Sequence, residues 1–487
     1  MKQKFILLVL LISICSLGFS QNYQLDSSFG KDGTTSNPKF GAEKVAILPD
    51  GRIITVASGD VAKPNLTCTF PNGKLDRSFG NKGRVILPVD ISNPILLIQN
   101  NKIVVGGVSN SKTFIVRFND NGTLDNSFAN GRKGQGITAP LMDIKLRTDG
   151  QLILIFFAEY YPEQYSTIWQ LCLKENGTVN TSFGNNGTST NTFRDRYYIH
   201  SPSFAIDNLN RIFAAGYFST ELFSIELRII GFNDNGNLDS NFGSSGSLYV
   251  SYILTYPEVV TPTQIQVLAN GNILTAGTVF GNSVTNEFMF ECKPDGTTES
   301  AFGTNGIVTI NRYNKINKIV EQDEKIYLST INNIVFRFLK NGTLDSGFCD
   351  NGILTVNIGV NAAQIRDMVL LENSDMLLTL FSQQQYLAKY TPASSILKEA
   401  GFINNLKEEN IRVSLYPNPT SNYIHISGLS NEKAAIQVIN NSGKIVQSFT
   451  TENEPMKTID VQDLTPGIYF IQIIQNNESK TLKFLKQ

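Results

Sequence analysis

One phrase, roughly N-G-x-L-D-x-S-F-G-x-x-G followed by a β-rich run, returns seven times along these 487 residues. Its phenylalanines are Phe29, Phe79, Phe128, Phe183, Phe242, Phe302 and Phe348, at intervals of 50, 49, 55, 59, 60 and 46 residues. Self-similarity at this period marks a propeller or a solenoid, because one such unit cannot bury its apolar faces alone and must stack on its neighbours. The phrase therefore constrains architecture before any local motif does.

The stretch from Ala42 to Pro88 shows what one unit contains. Lys44 to Leu48 is a short β run. Pro49-Asp50-Gly51 follows, and Asp-Gly between apolar runs signals a tight hairpin. Arg52 to Ala57 returns, a variable loop leads to Leu66 to Phe70, and Pro71-Asn72-Gly73 opens the next turn. The L-D-x-S-F-G phrase then carries the chain to Arg84 to Leu87. Four strands per repeat, joined as a meander, predict an all-β, seven-bladed β-propeller of four-stranded blades. The first turn keeps Asp149-Gly150 and Asn270-Gly271 and elsewhere uses other turn formers, such as Asn100-Asn101 and Asp323-Glu324. The repeated Phe is expected to plug the gap between neighbouring sheets. Ala129 and Cys349 stand where the other phrases carry Gly after the Phe.

The ends favour closure into a ring. No three strands precede the first S-F-G, and no S-F-G follows the last three strands, Gln364 to Tyr390. The segment near Phe29 is thus expected to complete the last blade, removing exposed edges.

The phrases P-D-G-R-I-I-T-V-A-S-G and F-N-D-N-G-T-L-D-N-S-F resemble the delta-60 repeat, a propeller-type repeat of secreted bacterial proteins. The resemblance covers roughly residues 23 to 390 and implies a scaffold with no single activity.

Residues 1–20 read as a signal peptide: Lys2 and Lys4 precede an apolar run from Phe5 to Leu17, and Gly18-Phe19-Ser20 favours cleavage before Gln21. No other apolar run is long enough to span a bilayer as a helix. The net charge of −1 and the lack of a basic block argue against nucleic acid. Cys68, Cys172 and Cys292 lie 11, 11 and 10 residues before their S-F-G phrases, and with Cys349 are expected to be buried free thiols.

The pattern breaks after residue 390. Residues 21–390 form the propeller in this reading, 391–410 a linker, and 411–487 a separate module. Val413 to Thr420 leads into Tyr423 to Ile426, and further strands are expected at Ala435 to Ile439, Lys444 to Phe449, Thr458 to Val461, Gly467 to Ile474 and Thr481 to Leu485; about seven short strands in all suit a small Ig-like β-sandwich. Leu415-Tyr416-Pro417-Asn418-Pro419, Asn441-Ser442-Gly443-Lys444, Leu464-Thr465-Pro466-Gly467-Ile468-Tyr469 and Lys483 to Lys486 closely resemble the C-terminal sorting domain of type IX secretion, known from Bacteroidetes. That resemblance implies passage through the periplasm, engagement of the type IX machinery, and delivery to the medium or the outer-membrane cell surface. It also implies removal of the tail, with release or attachment to surface lipopolysaccharide.

Catalytic signals are sparse. His200 and His425 fall in different modules, so no histidine pair exists to bind metal or share proton transfer. Asp76, Asp125, Asp239 and Asp345 occupy one repeated position and read as turn caps rather than catalytic acids. The stretch Asn119 to Asp125 superficially resembles a calcium loop but lacks the later bidentate Glu, so it reads as a turn. No cofactor or metal is expected. Loops between strands two and three, and between blades, vary in length, and such loops are where binding usually sits. Two carry aromatics: Tyr160, Tyr161 and Tyr165 with Trp169 beyond, and Tyr197, Tyr198 and His200. Tyr and Trp combine an apolar body with a polar tip, which suits an extracellular glycan or protein ligand. The bland alternative is that these rings cover blade edges. The sequence therefore predicts a binding scaffold on a monomeric propeller; the alternative is a propeller hydrolase or lyase acting on polysaccharide or peptide.

Overall fold

A computed structural model describes residues 22–36, 42–58, 63–131, 139–160, 165–194, 199–219, 225–250, 259–280, 285–311, 315–361, 363–393 and most of 414–486. Residues 1–20, read from the sequence as a signal peptide, residues 394–410 of the expected linker, and several variable loops lie outside the described residues. The chain divides into two compact units, Met1–Ile396 and Leu397–Gln487.

Among the described residues the first unit is all β apart from a single 3-10 turn at Phe128–Gly131. Among the described residues it holds seven sheets, each an antiparallel meander. The first runs Lys44–Ile47, Ile53–Ala57, Asn65–Thr69 and Arg84–Ile86. The second begins at Ser92–Gln99, the third at Leu141–Leu146, the fourth at His200–Ile206, the fifth at Val259–Val267, the sixth at Ile316–Gln322 and the seventh at Gln364–Leu370. Three strands of the second sheet are described, and the run expected for its fourth, at residues 132–138, lies outside the described residues.

Closure follows the sequence expectation in detail. Gln385–Pro392 pairs with Tyr23–Leu25 and also with Thr34–Ser36, so the N-terminal segment completes the seventh sheet. Thr391 and Pro392, read as linker, are in fact strand residues, because they pair with Gln24 and Tyr23. The first strands of neighbouring sheets contact one another all the way round, the seventh lying against the first. At the seam the Tyr23 hydroxyl donates to the Ser374 carbonyl at 2.8 Å, and its ring packs 5.2 Å from Phe348.

The repeated phenylalanines explain why the sheets stack. Each interval between adjacent sheets contains one apolar cluster, and each cluster holds one of the seven rings. Phe29 even sits between the seventh and first sheets, with Leu377, Leu387, Val45 and Ile53. All seven rings are buried. The Asn-Gly turn of the following sheet presses on the plug. A Cβ at Gly236 would lie 2.5 Å from the Phe183 ring, so only glycine fits there. The residue after the Phe also latches across: Gly80 N–H donates to the Asn121 carbonyl at 2.8 Å, and Ala129 N–H to Asn176 at 2.7 Å. Ala129 and Cys349 adopt φ of 49° and 43°, the left-handed backbone that Gly80 takes at 52°. The turn geometry thus overrides the side chain, at a cost of about 1 kcal/mol per residue.

The thiols are buried and free at Cys68, Cys172 and Cys292, with Cys349 half-buried. Burial pushes the Cys68 thiol up to about 12. Cys68 and Cys172 pair with Ile54 and Ile153, whereas Cys292, one residue further along its strand, pairs with Ile273 and faces the opposite side of its sheet.

Among its described residues the second unit holds seven short strands in two sheets, close to those read from the sequence. One orders Ser414–Tyr416, Tyr423–Ser427 and Met456–Asp460; the other orders Ile445–Thr451, Ala434–Asn440, Gly467–Gln475 and Glu478–Lys486. Ile424, Ile426, Ile436, Val438, Ile459, Ile471 and Phe484 form the core. His425 points outward, its Nδ1 2.9 Å from Thr458 Oγ1.

Candidate functional site

The repeated aspartates cap turns, as expected. Asp76 Oδ1 accepts from Ser78 N–H at 3.0 Å, and Asp125, Asp239 and Asp345 make the equivalent bond to Ser127, Asn241 and Gly347. Most are also neutralised: Arg117 Nε and Lys102 Nζ lie 2.7 and 2.9 Å from Asp125 Oδ2. Burial opposes the Asp125 charge, but bonds from Ser127, Lys102 and Arg117 hold its carboxyl well below the usual carboxylate range. In the loop that superficially resembles a calcium site, Asp120 Oδ2 accepts from Arg52 at 2.9 Å and Asn121 Oδ1 from Thr123, so protein donors occupy these oxygens.

The fifth sheet departs from this scheme. Glu299 takes the aspartate position and Glu291 the position of Arg117, and both carboxyls approach one Asn272 amide nitrogen, at 3.5 and 2.6 Å. Burial, and then Glu299 and Glu321 nearby, pushes the Glu291 carboxyl up.

At the opposite ends of the strands, the structure brings part of the aromatic group together. Tyr160 and Tyr165 are register partners on either side of residues 161–164, which lie outside the described residues, and their rings stack with centroids 4.3 Å apart. The Arg194 guanidinium lies 5.0 Å over Tyr165, its partner in the next strand. On the other face of the same sheet, Glu159 Oε1 lies 3.3 Å from His200 Nδ1, and the His200 ring stacks on Tyr217 at 4.6 Å. His200 is only 5% exposed, so this trio joins the third and fourth sheets. Trp169 sits deeper, opposite Phe156 and against the apolar cluster between the second and third sheets. Tyr161, Tyr197 and Tyr198 lie outside the described residues. Arg194, Glu159 and Tyr217 were not singled out in the sequence; Arg194 is recoverable only once strand register places it beside Tyr165.

The first strands line a central cavity of about 960 Å³. Six of them carry a register shift, for example between Ile316 and Lys318 and between Ile365 and Asp367. Residues inside these bulges stitch the ring: Thr263 Oγ1 donates to the Ile316 carbonyl at 2.8 Å, and Asn317 Nδ2 to the Ile365 carbonyl at 2.6 Å. Residues just after the bulge bring charge to the cavity. Asp143 pairs with Lys145 at 2.8 Å, and Asp367 with Lys318 at 3.0 Å while accepting from Val45 N–H. Among the described residues no group of three or more His, Cys, Asp or Glu is arranged to hold a metal. Among them, too, no helix is long and apolar enough to cross a membrane.

In the tail, two motif residues clamp the final strand. Asn418 Nδ2 donates to the Lys483 carbonyl at 3.1 Å, and its Oδ1 accepts from Leu485 N–H at 2.9 Å. Tyr469 stacks on Phe484 at 5.6 Å and donates to the Thr465 carbonyl at 3.0 Å. Tyr416 lies in the first tail strand and Gly467 opens the strand that carries Tyr469, while Pro417, Pro419 and Gly443 lie outside the described residues.

Ring and tail define a class, a β-propeller protein carrying a C-terminal export module. Residues 414–487 match the model of the secretion system C-terminal sorting domain, and residues 99–128 match that of a beta-propeller domain of unknown function, DUF5122. The protein is therefore exported by type IX secretion, whose machinery its tail engages. No curated protein matches the chain. Among solved structures it is similar to Drosophila Semaphorin 2a at 8% identity and TM-score 0.48, over 93% of this chain and 97% of that one. It is also similar to the WD40 beta propeller domain of Doa1 at 12% identity and TM-score 0.40, over 77% and 98%, and to BamB from Moraxella catarrhalis at 11% and 0.36, over 73% and 99%. These likenesses carry no functional argument.

Proposed function

We propose that the protein is an extracellular binding scaffold, its ring reading as a seven-bladed propeller and its tail as an Ig-like sorting domain. The ligand engages the variable-loop face, where an extracellular glycan or a protein surface meets Tyr160, Tyr165 and Arg194. The observation that carries this reading is the contrast between the two ends of the strands. At one end the turns are stereotyped and their carboxylates largely answered by partners within the ring. At the other, a stacked tyrosine pair and a guanidinium stand beside loops of variable length. Rigid aromatic anchors beside adaptable loops suit recognition. In this reading residues 1–20 are removed, the chain crosses the periplasm, and the tail is cleaved before release or attachment to surface lipopolysaccharide. An enzymatic reading has weaker support, because Asp143 and Asp367 at the cavity are each paired with a lysine.

Glycan-array and pull-down measurements on the mature chain test the proposal. Tyr160→Ala and Tyr165→Ala should weaken any captured ligand by about tenfold each. A ligand retained at full affinity by both variants would sink the loop-face assignment. Deleting residues 411–487 should stop export; surface display of the truncated chain would overturn the sorting role.

A further inference from the structure

The four-stranded sheet of the tail has two faces, and the outer one is not uniform. Ile436, Val438, Tyr469, Ile471 and Phe484 belong to the core cluster of the tail. Strand alternation sends their neighbours to the outer face. The middle row of that face is polar, as solvent favours: Ser448, Gln437, Gln472 and Thr481 lie side by side in register. One end is different. Ile445 pairs with Ile439, Ile439 with Phe470, and Ile468, two residues from Phe470, with Leu485. An apolar strip therefore crosses all four strands. Ile445, Ile468 and Leu485 are 48%, 40% and 41% exposed, well beyond what a core residue shows. Lys483, the register partner of Phe470, adds an exposed cation.

The four segments by which the tail resembles a sorting domain converge on this strip. Ile445 directly follows Asn441-Ser442-Gly443-Lys444, Ile468 belongs to Leu464-Thr465-Pro466-Gly467-Ile468-Tyr469, and Leu485 to the segment from Lys483 to Lys486. The remaining segment, Leu415 to Pro419, reaches the strip through Asn418, whose amide clamps the backbone of Lys483 and Leu485. None of the three exposed side chains belongs to the core cluster. The segments thus hold in place a surface that burial within the tail does not account for, and contiguous exposed apolar surface of this kind marks interaction sites.

We propose that this strip is the surface by which the tail docks on the type IX machinery, and that its partner there is an apolar protein surface. The inference rests on the export role of the tail. Apolar side chains on a rigid sheet release water on contact and lose little freedom, which suits recognition of a folded tail. The polar middle row confines the contact to one end of the face.

Export of the full chain, followed by fractionating a bacterium that carries the type IX machinery, tests this. Ile445→Thr, Ile468→Thr and Leu485→Thr together remove the strip while keeping residues that strands accept. The exported fraction should fall by about tenfold or more, with the chain accumulating inside the cell. Valine at the same three positions should restore export, and Gln437→Ser with Gln472→Ser in the polar row should leave it unchanged. The purified triple variant should melt as wild type does; if it melts earlier, the single Thr variants decide by the same measure. Wild-type export of the Thr variants, where deletion of residues 411–487 blocks it, overturns the docking surface. Export of the deleted chain would overturn the sorting role itself, and this inference with it. A change in oligomeric state with export intact would assign the strip to a second copy, and equal loss from the polar row would show only a weakened fold; either result overturns the proposal.

Discussion

The second and fifth sheets build the same turn on opposite electrostatics. In the second, Asp125 caps the turn and is gripped by Arg117 and Lys102. In the fifth, Glu299 caps it, bonding Ala301 N–H at 3.2 Å, but faces Glu291 and shares one Asn272 amide with it. Despite this the backbone bonds coincide: Asp125 N–H donates to the Arg117 carbonyl at 3.0 Å, and Glu299 N–H to the Glu291 carbonyl at 3.0 Å. Phe128 and Phe302 are equally buried. The turn is therefore dictated by the backbone and the aromatic plug, and its charges are adjustable.

The largest expected effect tests the plug. Phe128→Ala and Phe302→Ala should each destabilise the protein by about 3–5 kcal/mol, and by similar amounts, in denaturant unfolding. A much smaller loss for Phe302→Ala would mean that the fifth turn is held by something else.

Next in size are the charges themselves. Arg117→Met leaves Asp125 buried with Lys102 alone and should cost about 2–4 kcal/mol, because removing one partner strands a desolvated charge. Glu291→Gln removes a group that is already disfavoured as an anion, and should be neutral or slightly stabilising. Equal losses in the two variants would break the contrast.

Why the turn was legible and its charges were not is a matter of range. The Phe plug, the Asn-Gly turns, the closing N-terminal segment and the seven tail strands are written in local patterns, read by period-two alternation and turn chemistry. The pairings of Arg194 with Tyr165, Glu159 with His200, and Asn418 with the last strand span 29, 41 and 65 to 67 residues, and depend on register and docking that no local pattern specifies. Cys292 shows how sharp the limit is. A one-residue offset from Cys68 and Cys172 within its repeat looks trivial in sequence but turns the side chain to the other face of the sheet.

The two sheets should also respond oppositely to pH. Asp125 binds its proton less tightly folded than unfolded, so its contribution is present above the ordinary aspartate range and fades as pH falls below it. Glu291 binds its proton more tightly folded, so its contribution is present below the ordinary glutamate range and fades as pH rises through and above it. Unfolding followed across pH should show Asp125→Asn flattening the acid side and Glu291→Gln removing a loss of stability on the approach to neutrality. A Glu291→Gln curve parallel to wild type would show that Glu291 keeps its ordinary acidity.

The smallest effect falls where the sheets agree. Asn121 Oδ1 accepts from Thr123 N–H at 3.0 Å and its hydroxyl at 2.7 Å, and Asp295 Oδ1 accepts from Thr297 at 2.8 and 2.7 Å. Both side chains are exposed, so water replaces most of what a substitution removes. Asn121→Ala and Asp295→Ala should each cost about 0.5–1 kcal/mol, with the two values alike. The formal charge of Asp295 should add little, because its bonds are made to a turn that Asn121 holds as well without one. If Asp295→Ala proved clearly costlier, charge would be supporting the fifth turn after all, and the acid pair at Glu291 and Glu299 would have to be read as part of a wider electrostatic arrangement around that sheet.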